Sequence, residues 1–260
     1  MSKRRPKLLV HERRREIINI AKREGRVSIQ DLVQRFRVSA VTLRADLGYL
    51  SSKGLLLRSY GGAVLPQEGD IPLDVKKTLC HEEKSRIGRA AAQLIKPHQT
   101  IILDSGTTSA EVARAIKKKN ITPLNIITHA LNIAQEFSGM PQFSLVMIGG
   151  IMRHAAGSFV GPQAERFIQE LHADHLFLGV DGLDPEAGLF TPDMLEAQLN
   201  SLMIAVSTEV TVIADASKLG RRSLSMIADI SRIHRLITDN RANEGMIKRI
   251  RQAGVEVVVV

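Results

Sequence analysis

Asp104-Ser105-Gly106-Thr107-Thr108 sets an acid, hydroxyls and a glycine between an apolar run at 101–103 and a helical pattern at 110–118. Gly106 permits a tight turn. The backbone N–H groups and two hydroxyls can surround an anion, and the next helix offers its N-terminus. Phosphate is the natural guest for such a turn. The segment is not a Walker loop, because the glycine spacing and the terminal Lys-Ser/Thr are missing. The plainer reading is a serine/threonine helix cap.

Other polar and small residues occupy equivalent places. Thr128-His129 follows the run at 125–128, and Gly149-Gly150 follows 144–148. Gly179-Val180-Asp181-Gly182 ends 175–180, and Asp215-Ala216-Ser217-Lys218 follows 210–214. Further apolar runs lie at 235–238 and 255–260, with helical patterns at 131–137, 164–171, 195–206 and 244–252 between most of them. Alternating β and α units predict a largely parallel sheet covered by helices. In such sheets ligands bind outside the carboxyl ends of the strands. Five polar strand ends therefore predict a ligand crevice. Asp181, Glu196 and Lys218 suit two roles there: hydrogen bonding to sugar hydroxyls, or the carboxylate base and cation of an isomerase. His172, Asp174 and His175 lack a further ligand nearby in sequence and read as ordinary surface or core residues rather than a metal site. No cofactor is expected.

The first 58 residues have a different chemistry. They hold fifteen Lys and Arg and five Asp and Glu, whereas the whole 260-residue chain holds 36 and 27. The head therefore carries +10 and the remainder −1, which points to a polyanion-binding head on a near-neutral body. A helical pattern at 11–24 stops at Gly25. Ser28 can cap a second helix at 29–37, and Ser39 a third whose Leu43, Leu47 and Leu50 recur at i, i+4 and i+7. Two short helices joined by Arg37-Val38-Ser39 make a helix-turn-helix. Ala40, Val41, Arg44 and Ala45 then face outward near the N-terminus of the third helix, where a recognition helix meets base edges and phosphates. Leu55-Leu56-Leu57-Arg58, the turn Ser59-Tyr60-Gly61-Gly62 and Ala63-Val64-Leu65 read as a β-wing that brings Arg58 and Tyr60 to the DNA backbone, with Tyr60 equally readable as a packing residue. The linker 66–72 is rich in turn formers, and a helical run is expected from 73 to 95.

Val38-Ser39-Ala40-Val41-Thr42-Leu43-Arg44-Ala45-Asp46-Leu47, with Arg14 and Ile18 before it and Arg58-Ser59-Tyr60-Gly61-Gly62-Ala63 after it, resembles the DeoR family of sugar-metabolism repressors. Over 75–235 the resemblance continues in Asp104-Ser105-Gly106-Thr107-Thr108, Gly149-Gly150, Phe177-Leu178-Gly179-Val180-Asp181, Gly188 with Thr191, Glu196-Ala197 and Asp215-Ala216-Ser217-Lys218. The resemblance implies a winged helix-turn-helix head in which Ser39, Thr42 and Arg44 belong to the recognition motif and Asp46 partners an arginine. It also implies an α/β sensor domain similar in fold to ribose-5-phosphate isomerase, with the Ser105–Thr108 loop on the phosphate and Asp104, Asp181, Glu196 and Lys218 near the sugar. Three positions depart from the usual pattern: Ala45 and Ser201, where many members have a basic residue, and His129, where asparagine is usual. Leu178-Gly179-Val180-Asp181 and Glu196-Ala197-Gln198-Leu199-Asn200 look like the amino-sugar (N-acetylgalactosamine) branch.

The expected organisation is a DNA-binding domain at 1–65, a linker at 66–74 and a sugar-phosphate-sensing α/β domain at 75–260. The expected function is a transcriptional regulator, a repressor of a carbohydrate-catabolism operon released by a phosphorylated sugar or amino sugar. A sugar-phosphate isomerase with an added head is the alternative. DNA contacts are expected from Ser39, Ala40, Val41, Thr42, Arg44, Arg58 and Tyr60. Effector contacts are expected from Asp104, Ser105, Gly106, Thr107, Thr108, Thr128, His129, Gly149, Gly150, Asp181, Glu196 and Lys218. The expected partners are double-stranded operator DNA, the effector and further copies of the chain. With Cys80 as the one cysteine and no signal-like or membrane-length apolar run, a reducing cytoplasm is expected.

Overall fold

The computed structural model describes residues 9–24, 26–53, 55–59, 61–64, 73–77 and 79–260. The chain divides into two compact units, 1–78 and 79–260.

The first unit contains helices α1 (Val10–Glu24), α2 (Ile29–Phe36) and α3 (Ala40–Ser52), with strands β1 (Arg26–Ser28), β2 (Leu57–Ser59) and β3 (Gly62–Val64). Its core joins Ile17, Ile20 and Ala21 of α1, Leu32 of α2 and Leu43, Leu47 and Leu50 of α3. The helix boundaries follow side-chain chemistry. Ser28 Oγ accepts the Asp31 backbone N–H, and Arg37 turns left-handed (φ 52°) to close α2, its N–H reaching the Val33 carbonyl. Ser39 Oγ then accepts the Thr42 N–H to start α3. The wing is the antiparallel pair β2 and β3, with Arg58 opposite Ala63. β1 adds to β3 as a third strand. Three residues are too few to show a periodicity, and the sequence reading has no strand there.

One expectation is corrected between the units. In place of a continuous helix over 73–95 there are two, α4 (Leu73–Lys76) and α5 (His81–Ala91), with Cys80 left-handed at φ 52° before the second. Between Lys76 and Ser85 the apolar residues are Leu79 and Cys80 alone. The stripe that Ile87 and Ala91 bury therefore has no continuation toward the N-terminus.

The second unit follows the alternation closely. Its elements are β4 (Thr100–Leu103), α6 (Thr107–Lys119), β5 (Leu124–Thr128), α7 (Leu131–Phe137), β6 (Phe143–Met147), β7 (Ile151–Arg153), β8 (Ser158–Val160), α8 (Pro162–Gln169), β9 (Ala173–Leu178), β10 (Gly182–Asp184), β11 (Gly188–Thr191), α9 (Met194–Ala205), β12 (Ser207–Ile213), β13 (Ser225–Ala228), β14 (Arg235–Thr238), α10 (Glu244–Gln252) and β15 (Glu256–Val259). Seven strands form one parallel sheet in the order β15-β14-β12-β9-β4-β5-β6. These are the seven apolar runs of the sequence. Both faces are covered, which is why the runs are continuous rather than alternating. Ile101 and Leu103 pack on one face with Ile87, Val112, Ile116 and Ile133. Ile102, Leu176 and Leu178 pack on the other with Ile168, Leu199, Met203 and Ile250.

The sheet starts at its middle. From β4 the chain winds outward through β5 and β6, then returns to β9 on the other side of β4 and winds outward through β12, β14 and β15. The order reverses between β4 and β9, and there the connections leave on opposite faces, the place where open sheets bind ligands. Two additions flank it: the β7–β8 hairpin and a small antiparallel sheet, β10-β11-β13.

Candidate functional site

The turn after β4 lies at this reversal. Gly106 takes φ 103°, a conformation that L side chains rarely adopt, and precedes the thirteen-residue α6. Asp104 is buried and locks the two central strands at their ends. Its Oδ2 accepts the Gly179 backbone N–H at 3.0 Å, and its Oδ1 lies 3.0 Å from His129 Nε2. The other ring nitrogen, Nδ1, stands 2.8 Å from the Phe159 carbonyl of β8. Each nitrogen faces an acceptor, so the doubly protonated ring satisfies both. Burial alone pulls the His129 pKa down. The hydrogen bond and charge of Asp104, the Phe159 carbonyl and the charge of Glu196 outweigh it, and the net direction is upward.

Ser105 leads to the opposite wall. Its hydroxyl donates to Glu196 Oε1 at 3.2 Å, and Thr191 Oγ1 donates to Oε2 at 2.6 Å. Glu196 is 6% exposed. Burial raises its pKa, Arg153 lowers it, Asp104 raises it, the Thr191 bond lowers it and Asp181 raises it; the net direction is upward. Arg153 Nη1 lies 3.4 Å from Glu196 Oε2, and its Nε lies 3.3 Å from Asp193 Oδ2. Beside this network Lys218 Nζ pairs with Asp181 Oδ1 at 2.9 Å, both half-buried.

Asp104, Ser105, Gly106, His129 and Glu196 thus belong to one linked group, with the Asp181–Lys218 pair at neighbouring strand ends. Thr107 is buried and Thr108 half-buried, and neither hydroxyl has a hydrogen bond among the described residues. Thr128 and His129 both make internal hydrogen bonds. Thr128 is fully buried and its hydroxyl accepts the Ala130 N–H. His129 is fully buried as the partner of Asp104. Gly149 and Gly150 are exposed after edge strand β6, outside the linked group.

Several residues escaped sequence reasoning. Arg153 is one, because a single arginine three positions after two glycines carries no signal. Asn132 is another: its amide donates to the Gly106 carbonyl at 3.1 Å while its buried Oδ1 has no partner among the described residues. Ser158 Oγ on β8 is likewise buried and unpartnered. Thr191 was visible as part of the motif pattern, but its bond to Glu196 was not.

In the first unit Val41, Arg44 and Ala45 are exposed on α3, Ala40 and Thr42 are half-buried, and Ser39 is exposed at the cap. Asp46 is buried and joins α3 to α1 through Arg13 (2.6 Å) and Arg14 (2.9 Å). Arg14 also lies over the Tyr49 ring, 3.7 Å from its centroid. Arg58 belongs to β2; its side chain, like Tyr60, lies outside the described residues.

A winged helix-turn-helix unit and a parallel α/β unit with a buried polar network at its strand reversal are the architecture of a transcriptional regulator with a sensor domain. A family model of the DeoR-like helix-turn-helix domain matches residues 13–68, and one of the DeoR C-terminal sensor domain matches residues 79–240. The chain belongs to the DeoR family. It is 38% identical to a putative aga operon transcriptional repressor of Escherichia coli O157:H7, covering 96% of this chain and 93% of that protein. It is 34% identical to the glycerol-3-phosphate regulon repressor of Escherichia coli strain K12, covering 88% and 90%. Among solved structures, ribose 5-phosphate isomerase A of Methanocaldococcus jannaschii aligns with a TM-score of 0.39 and 18% identity over 54% of this chain and 55% of that one. The protein is a DNA-binding transcriptional regulator, and the isomerase alternative gives way to it. Among the described residues no helix is long and apolar enough to cross a membrane, and no cluster of His, Cys, Asp and Glu could hold a metal.

Proposed function

We propose that a phosphorylated sugar or amino sugar binds at the reversal between β4 and β9 and favours a state of lower operator affinity. The observation that carries this reading is the turn after β4. It offers backbone N–H groups, two hydroxyls without a hydrogen bond among the described residues and the N-terminus of α6, at the point where open sheets bind ligands. The phosphate sits on Ser105, Gly106, Thr107 and Thr108. Asp181, Lys218, Glu196 and Arg153 surround the sugar, and Asp104 with His129 holds the turn in place. The named relatives regulate an aga operon and a glycerol-3-phosphate regulon, which supports repression of a carbohydrate operon and the amino-sugar lean.

In this reading residues 1–65 form the DNA-binding domain and 75–260 the sensor, joined by 66–74. Ser39, Ala40, Val41, Thr42, Arg44, Arg58 and Tyr60 meet the operator. Two copies of the head read two half-sites, as dimeric helix-turn-helix proteins do, so the protein acts as a homo-oligomer in the cytoplasm. Linkage requires operator and effector to weaken each other by the same factor, typically about 5- to 150-fold.

A thermal-shift screen against sugar phosphates tests this, since a ligand of the native state raises its apparent stability. The expected result is a saturable rise with one phosphorylated sugar and none with its dephosphorylated form, together with release of operator DNA by the same compound. A ligand that stabilises the protein equally well without its phosphate would refute the phosphate turn.

A further inference from the structure

Most polar side chains near the start of α3 are already engaged. The Ser39 and Thr42 hydroxyls lie 2.9 Å from one another, and Ser39 Oγ also accepts the Thr42 N–H at 3.2 Å, closing the cap. Asp46 is buried between two arginines, and Arg14 covers one face of Tyr49. Two large side chains there point outward: Val41, 71% exposed, and Arg44, exposed and without an ion-pair partner among the described residues. They stand three residues apart on one face of the helix, about 4.5 Å along its axis at 1.5 Å per residue. Successive bases of a strand are separated by about 3.4 Å.

The same face carries Ala45, exposed, and Gly48, where an added Cβ would meet nothing within 4 Å. Neither packing nor backbone conformation calls for a glycine at 48. In a helix interior it is less favourable than alanine by roughly 0.5–1 kcal/mol. The absence of a side chain there leaves room for something outside the protein to come close to the helix backbone.

The major groove distinguishes base pairs by donors, acceptors and the thymine C5-methyl group. A large exposed aliphatic side chain fits that methyl, and a free guanidinium fits the O6 and N7 acceptors of guanine. We infer that α3 reads its half-site through one apolar and one charged contact, Val41 on a thymine methyl and Arg44 on a guanine within one or two base-pair steps of it. Ser39 and Thr42 keep the cap and contribute no base readout.

The test starts from duplexes selected by the full-length protein from a randomised pool, so that the protein itself defines the half-site. Each thymine of the selected site is then replaced by deoxyuridine, which deletes only the methyl. One position per half-site should lose affinity by about fourfold, as expected for a buried methyl-sized group. That penalty should fall below twofold in Val41→Ala. In Arg44→Ala the preference for guanine at the neighbouring position should collapse, by about 5- to 150-fold. Both residues are exposed, and unchanged thermal melting of each variant separates lost readout from lost folding. The inference is overturned if the selected half-sites lack a thymine beside a guanine, or if the deoxyuridine penalty is the same in Val41→Ala as in the parent. Selection of no sequence at all would also overturn it, and salt-sensitive binding that persists in that case would leave DNA binding itself intact.

Discussion

The two units each bury an aspartate, and they pair it differently. Asp46 holds the recognition helix against α1 through two arginines. Asp104 holds the ends of β4 and β9 together through a backbone N–H and a histidine. Arginine stays protonated throughout the physiological range, whereas the charge of histidine changes within or near it. The DNA-reading unit is therefore built on a permanent ion pair. The sensing unit is built on one that the loss of a proton can undo, and it sits beside the turn where a charged ligand is proposed to bind. A reader of a fixed polymer gains from a rigid helix, whereas a sensor must have a second state within reach.

The largest expected effect tests the permanent pair. Asp46→Ala leaves Arg13 buried and Arg14 partly buried with no counter-charge, and breaking such a pair typically costs about 3–5 kcal/mol. The expected outcome is loss of the head's unfolding transition in calorimetry and of operator binding, with the sensor transition unchanged. A variant that still bound operator with parental affinity would remove Asp46 from this role.

On the sensing side, Thr107→Val deletes one of the two free hydroxyls of the turn, and Arg153→Ala deletes the guanidinium facing Glu196. A saturating ligand at a hundredfold excess over its Kd stabilises the native state by about 2.7 kcal/mol. Most of that shift should vanish in Thr107→Val and a part of it in Arg153→Ala, with operator affinity retained in both. Retention of the full shift in Thr107→Val would move the phosphate elsewhere.

Arg44→Ala makes the complementary cut. Operator affinity should drop by about 1–3 kcal/mol in a gel-shift titration while the sugar-phosphate thermal shift stays intact. Loss of both responses together would blur the division between the units.

The pH response is the finest probe of the contrast. The native pKa of His129 is raised above its unfolded value near 6.5, so the Asp104–His129 pair contributes fully below that value and is lost as pH rises through the native one. In His129→Asn the sensor's melting temperature should lose that alkaline decline. His175 supplies an internal opposite. It is buried against Thr211 and Phe177, and burial is the main reason that its pKa falls to about 4. Native His175 resists protonation, so stability is lost as pH falls from about 6.5 toward 4. Side-chain NMR titration should show the two histidines moving apart on either side of 6.5; coincident titration would erase the distinction.

Much of this molecule was legible in its residues alone. The seven strands were visible because both faces of the sheet are covered, which makes each strand a continuous apolar run. The caps at Ser28 and Ser39 were visible because a cap is a contact between neighbours in sequence, and the tight turn at Gly106 because its residues are consecutive. The short strands β1, β7 and β8 carry too few residues for a pattern. The break at Cys80 was hidden because the charged run His81-Glu82-Glu83-Lys84 looks helical from either side.

The sequence by itself determined where positive charge concentrates, which segments become strands and helices, and which family the chain resembles, since these depend on local composition and period. Only the tertiary structure decided what the polar residues do. It paired the buried His129 with Asp104 and set the Thr128 hydroxyl under the Ala130 N–H. It brought Arg153 to Glu196 from forty-odd residues away and left Val41 and Arg44 exposed near the start of α3. The physical reason is that an ion pair or a buried hydrogen bond depends on separation in space, and chain order fixes that separation only for near neighbours.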